Sequence, residues 1–188
     1  MDSQQEADLI RRIIDHDKQL FSALVDRYKH KVYGVIRGMG ADHQDAQDLA
    51  QETFIRMYRF LPRYQEGSSL SAWVYTIAVN VTKDFLRKRR PIPVDVVEGM
   101  EETDKGITPE QSVLEKEMKR DIYRHLKCLP ENYRLVLLLK YTNELSYEEI
   151  IKITGFSMGQ VRNALHRGKR RLKKELENKG ELAYEIFF

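Results

Sequence analysis

The residues best placed to do chemistry lie near the C-terminus. Between Ser157 and Lys174 stand seven cations, Arg162, Arg167, Lys169, Arg170, Arg171, Lys173 and Lys174, and no acid. Val161, Leu165 and Leu172 recur at helical steps and supply a stripe to bury. Just upstream, Ser146 and Glu149 have capping-box spacing, and Gly155 stands where a tight turn between helices needs it. Short helix, glycine turn and long basic helix form a helix-turn-helix pattern. Such a helix lies in a major groove, with early residues at base edges and later cations on phosphates. The groove-facing set is Ser157, Gln160, Arg162, Asn163 and Arg167, followed by Arg170 and Arg171. Gln and Asn match adenine and Arg matches guanine.

A second constellation is WVYTIAVNVTKDFLRKRRP, from Trp73 to Pro91. Trp73, Ile77, Ala78, Val81 and Phe85 form an apolar stripe. Tyr75, Thr76, Val79, Asn80, Lys83 and Arg87 are expected on the face away from it, and the preceding loop adds Arg63, Tyr64 and Gln65. Aromatics interleaved with cations hold single-stranded nucleic acid, with bases stacked and phosphates neutralised. The run Arg87, Lys88, Arg89, Arg90 suits phosphates. A third group, Asp42, Asp45, Asp48 and Glu52, lines one flank of a helix without a cation among them. On spacing alone, a dock for a basic protein and a solvated, dipole-serving flank fit equally well.

Other chemistries find no foothold in the sequence. His16, His30, His43, His125 and His166 are scattered without partners at metal-ligand spacing. No nucleophile motif or phosphate-cradling glycine loop is present. The reading is therefore no catalytic residue, no metal and no cofactor.

Placing these groups is the task of helices. The chain has 188 residues, 41% apolar and 32% charged, and a net charge of only +3. Any nucleic-acid signal thus lies in the distribution of charge. Alternating strand patterns are absent, and the fold class is all-α. Residues 91–108 carry acids, prolines and glycines with no helical period, which marks an acidic flexible linker. It separates two small helical domains. The first, residues 1–90, holds a short helix near Glu6 to Asp15 and three main helices. One of these runs from about Lys18 to Met39, one starts at Asp42 and is closed by Pro62, and one is capped by Ser69 or Ser71. The second, residues 109–178, has a helix from Pro109 to about Lys127, one from Pro130 to about Tyr141, and the helix-turn-helix. The tail from 179 to 188 is apolar, and packing on a neighbour or partner and a disordered end both fit it.

The single cysteine, Cys128, rules out a disulfide within the chain, suits a reducing cytoplasm and reads as a small buried residue. The N-terminus MDSQQEADLI lacks a secretory pattern, and no apolar run nears the ~18 residues of a bilayer span.

The stretches DAQDLAQETFIRMYRFL, SAWVYTIAVNVTKDFLRKRR and LPENYRLVLLLKYTNELSYEEIIKITGFSMGQVRNALHRGKRRLKKEL, in that order around an acidic linker, resemble the bacterial extracytoplasmic-function (group IV) sigma factors. The resemblance runs from about Ala7 to Leu176. It implies a promoter-specificity subunit of RNA polymerase, not an enzyme by itself. The DAQDLAQETF helix would dock on the clamp helices of the largest polymerase subunit, which gives Asp45, Asp48, Gln51, Glu52 and Phe54 a partner. The loop and helix from Arg63 to Arg90 would read and melt the minus-ten element, with a base of the non-template strand flipped into a pocket. That assigns Arg63, Tyr64, Tyr75, Asn80, Lys83, Arg87, Lys88, Arg89 and Arg90 to DNA. The helix-turn-helix would read the minus-thirty-five element through Ser157, Gln160, Arg162, Asn163, Arg167, Arg170 and Arg171, and touch the polymerase flap. The linker would enter the RNA exit path. Control by an anti-sigma factor, commonly membrane-bound in this family, and a stress or envelope-response regulon are also implied. One departure stands in the turn, which in the family usually reads proline, small apolar, glycine, threonine. Here it is Ser157, Met158, Gly159 and Gln160. Residues alone also admit an ordinary helix-turn-helix regulator with a sensing or dimerising first domain, and a small nucleic-acid enzyme that lacks a catalytic set.

Overall fold

The computed structural model describes residues 3–14, 18–64, 69–89, 126 and 128–178. The expected linker, Arg90, Gln65, the tail and all but Leu126 of the helix expected to end near Lys127 lie outside the described residues. Within them the chain is helical and has no strand. The helices are α1 (Ser3–Ile14), α2 (Lys18–Gly38), α3 (His43–Phe60), α4 (Leu70–Arg89), α5 (Glu131–Leu137), α6 (Tyr147–Thr154) and α7 (Met158–Asn178).

In the first body the core follows the stripes. Leu24, Tyr28, Val32, Val35 and Ile36 of α2 are buried, as are Ala46, Leu49, Phe54 and Met57 of α3. Asp42 caps α3 by accepting the amide of Asp45 at 2.7 Å, which satisfies one of the orphan N–H groups at a helix start. Pro62 ends α3 in a 3₁₀ turn, Leu61–Arg63. Ser69 caps α4, its Oγ accepting from the amide of Ala72 at 3.2 Å. Ser71 serves differently: its Oγ meets the Tyr28 hydroxyl at 2.9 Å and gives that buried ring a polar partner.

In the second body, Pro130 leads into α5, which widens into a π-helical segment, Leu138–Thr142. Asn143 bridges the widened end by donating its Nδ2 to the Leu138 carbonyl at 3.1 Å. Ser146 and Glu149 form the expected capping box, and Gly155 ends α6 with φ +75°, a left-handed conformation cheap only for glycine. Cys128 differs from expectation. It lies exposed in the turn before Pro130, because the helix expected to carry it has already ended.

The two bodies touch, with α4 packed on α6. The Arg134 Nη2 donates to the Met39 carbonyl at 3.2 Å. A Cβ on Gly38 would collide with Leu138. Across the junction Ser69 stands close enough to Glu149 to help hold its carboxyl low.

Candidate nucleic-acid interface

Helix α4 carries apolar residues around much of its circumference. At about 100° per residue, Ala72, Val74, Tyr75, Ala78, Val79, Val81 and Thr82 fill a buried half-cylinder. Trp73, Thr76, Ile77, Asn80, Lys83, Asp84 and Arg87 occupy the other half, partly or fully exposed. The phase expected from the sequence is therefore rotated. Tyr75 is 1% exposed; it packs edge-on against Tyr28 at 6.2 Å between centroids, and burial pushes its phenol well above the ordinary value. Tyr75 thus leaves the open face, and Trp73, expected in the core, joins it. The reason is that two neighbours, the α2–α3 pair and α6, cover α4 from adjacent directions, so its buried arc is wider than one stripe. The ring of Trp73 meets Tyr64 edge-on at 5.3 Å, so the loop aromatic and the helix aromatic form one surface. Arg63 lies over the Phe60 ring at 5.7 Å, beside that surface. Asn80, Arg87 and Lys88 are exposed, and Lys83 is partly so.

Helix α7 presents the opposite balance. Val161, Ala164, Leu165, Leu172 and Leu176 are buried, and Arg162, Asn163, His166, Arg167 and Arg170 are exposed on the other side. Two cations stand at the margins of this arc. Lys169 lies over Tyr141 at 4.5 Å and Arg171 over Tyr133 at 5.9 Å, each cation shared with an aromatic face of the preceding segment. Ser157 and Gln160 do something the sequence reading missed. The Gln160 amide donates to Ser157 Oγ at 3.2 Å, and the Ser157 amide donates to Gln160 Oε1 at 2.8 Å. This is a capping box, readable in principle from Ser-x-x-Gln before a helix. The Gln160 carbonyl is therefore engaged in starting α7.

On α3 the acidic flank divides. Asp42 and Asp45 hold Arg89 of α4, and Glu52 pairs with Arg56 at 2.6 Å. Asp48 and Gln51 are exposed. Phe54, expected to face a partner, is only 8% exposed and belongs to the bundle core. Its place on the outer face falls to Ile55, 46% exposed, one turn beyond Gln51 and Glu52. That three- and four-residue step was the available signal.

The junction adds one electrostatic detail. Burial raises the Glu149 carboxyl, but hydrogen bonds from Ser69 and Ser146 and the charge of Lys152 outweigh it and hold the group below its ordinary value. The Arg134 guanidinium is lowered by burial, against the opposing charges of Glu131 and Cys128.

Comparison with known proteins agrees with this division. Residues 24–92 match the family model for Sigma-70 region 2, and residues 119–172 match that for Sigma-70, region 4. The ECF RNA polymerase sigma factor SigW of Bacillus subtilis is 34% identical over 178 residues, 90% of this chain and 95% of that protein. The RNA polymerase sigma-H factor of Pseudomonas aeruginosa is 34% identical over 183 residues, 93% of this chain and 95% of its own length. The ECF RNA polymerase sigma-E factor of Escherichia coli is 32% identical over 178 residues, covering 90% and 93%. Among solved structures, the fold resembles CnrH in complex with the cytosolic domain of CnrY, with a TM-score of 0.68 at 20% identity, covering 90% of this chain and 96% of that one. It also resembles the sigma factor RpoE in complex with the anti-sigma factor NepR from Bartonella quintana, with a TM-score of 0.63 at 23% identity, covering 87% and 97%. The chain belongs to the extracytoplasmic-function sigma factors, an alternative sigma factor built from a region 2 and a region 4.

Proposed function

We propose that the chain docks on core RNA polymerase through the outer face of α3 and opens promoters with the outer face of α4. The observation that carries this reading is the single open arc of α4. There Trp73 and Tyr64 offer adjoining aromatic surfaces, Asn80 offers an amide, and Lys83, Arg87 and Lys88 offer charge. Bases of an opened strand stack on such aromatics while the cations neutralise phosphates. Arg63 extends the set at the loop. Asp48, Gln51 and Glu52, with exposed Ile55, form the docking face: an apolar centre beside an acidic rim, suited to a basic partner. Helix α7 holds upstream duplex, with Arg162, Asn163 and Arg167 toward base edges and Arg170 toward phosphates. Such a protein works in the cytoplasm and recognises minus-thirty-five and minus-ten elements. The relatives solved with CnrY and NepR support an anti-sigma partner that controls it.

The test is reconstitution. The chain added to core polymerase is expected to give promoter-dependent transcripts, and Asp48→Lys to weaken core binding. Tight footprinting of duplex by the chain alone, with no transcripts from the reconstituted mixture, would favour the ordinary regulator.

A further inference from the structure

Arg89 closes the basic run at the end of α4, and its charge alone assigns it to DNA. Its surroundings say otherwise. Nη1 donates to Asp42 Oδ2 at 3.2 Å and also to Asp45 Oδ2. The guanidinium lies over the Phe85 ring, 5.5 Å from its centroid, and so is held from two sides. Asp42 divides its oxygens: Oδ1 accepts the Asp45 amide and starts α3, and Oδ2 accepts Arg89. The acid side chains are 27% and 20% exposed, against 59% for Arg89. The contact joins residues 47 and 44 apart in sequence, and thus the C-terminal end of the DNA-facing helix to the start of the docking helix.

We propose that Arg89 is a positioning residue, not a phosphate ligand: it ties α4 to α3 and screens Asp42 and Asp45 from the promoter. Two carboxylates left bare here would add negative charge at the same end of α4 as Arg87 and Lys88 and oppose the phosphates those cations attract. The proposal rests on the reading that the open face of α4 meets DNA.

A double-mutant cycle separates the two roles. Promoter binding is measured with the full chain on saturating core polymerase, over a range of salt, for wild type, Arg89→Gln, Asp42→Asn with Asp45→Asn, and all three together. Asn caps a helix as well as Asp does, so the paired change spares α3. Arg89→Gln is expected to weaken binding about three- to ten-fold in the wild-type background. With both acids neutralised it is expected to weaken binding by less than about two-fold, and the slope of log affinity on log salt stays unchanged. Equal loss in both backgrounds, with a slope smaller by about 0.7 to 0.9 as for one lost phosphate contact, overturns the proposal. Arg87→Gln serves as the reference and is expected to reduce the slope by that amount in both backgrounds. If it does not, the DNA-facing reading of α4 fails, and the tie is then judged by thermal unfolding of the full chain. There Arg89→Gln lowers Tm only where Asp42 and Asp45 are intact, and an equal drop in both backgrounds overturns the tie.

Discussion

Helices α4 and α7 are nearly the same length, 20 and 21 residues, and both turn cations outward, yet they are built in opposite ways. Half of α4 is sunk between neighbours, and its open arc mixes aromatics, an amide and a few charges. Helix α7 rests on one narrow stripe and shows a broad cationic arc. A helix that must present stacking surfaces while DNA strands separate benefits from rigid seating, because any give in the platform spends binding energy on ordering it. A helix that inserts into an intact groove needs reach and charge, and leaves shape to the duplex. The contrast is what the proposed function asks for, with opening by α4 and holding by α7.

The largest effect that would break this comparison lies inside α4. Tyr75→Ala is expected to cost about 3–5 kcal/mol of folding stability, as for other large aromatic truncations in cores, and thermal unfolding reads it. A variant with unchanged Tm and impaired promoter opening would return Tyr75 to the DNA face. Next, Arg167→Ala is expected to cost about 1–3 kcal/mol of binding to upstream duplex while core polymerase binding is kept; equal loss of both would dissolve the boundary between the two regions. Smaller still is Gln160→Ala. Loss of its side-chain bond to the Ser157 amide is expected to cost about 0.5–1 kcal/mol of stability, with sequence preference in the duplex unaltered. A changed base preference would show that Gln160 reads DNA after all.

The smallest effect concerns the junction of the two regions. The Glu149 carboxyl is depressed in the folded chain, so its contribution is present above the ordinary carboxylate value and fades as pH falls through the folded one. The window therefore lies in the acid range, below about pH 4.3. Glu149→Gln is expected to lower stability slightly at neutral pH, to match wild type at the acid end, and so to flatten that part of the stability curve. An acid limb identical to that of wild type would remove Glu149 from the junction.

How legible the chain was depended on contrast in side-chain polarity. In α7, Val161, Leu165 and Leu172 stand among cations, so the buried stripe is unambiguous, and the structure buries all three. The capping box at Ser146 and the turn at Gly155 were equally plain, since each uses a residue type with few other reasons to be there. In α4 nearly every position from Leu70 to Val81 tolerates burial. Periodicity then found a stripe but not its phase, and Trp73 and Tyr75 exchanged faces. The phase is set by the α2–α3 pair and by α6, the latter nearly sixty residues beyond the end of α4 in sequence, which no local pattern encodes. Arg89 is a related case: a basic run reads as a phosphate surface, and only the fold brings the acids it meets, Asp42 and Asp45, beside it. Phe54 and Ile55 are adjacent apolar residues on α3, and only packing decides which of them turns outward.

Whether α4 opens DNA while α7 holds it comes down to Trp73. Permanganate reactivity of thymines in a promoter bound by the reconstituted polymerase, read beside a nuclease footprint, tests it directly. Trp73→Ala is expected to abolish most of the permanganate signal, in line with about 1–3 kcal/mol per stacked base, while protection of the upstream half of the promoter persists. Full permanganate reactivity in the variant, or loss of both signals together, would contradict the account.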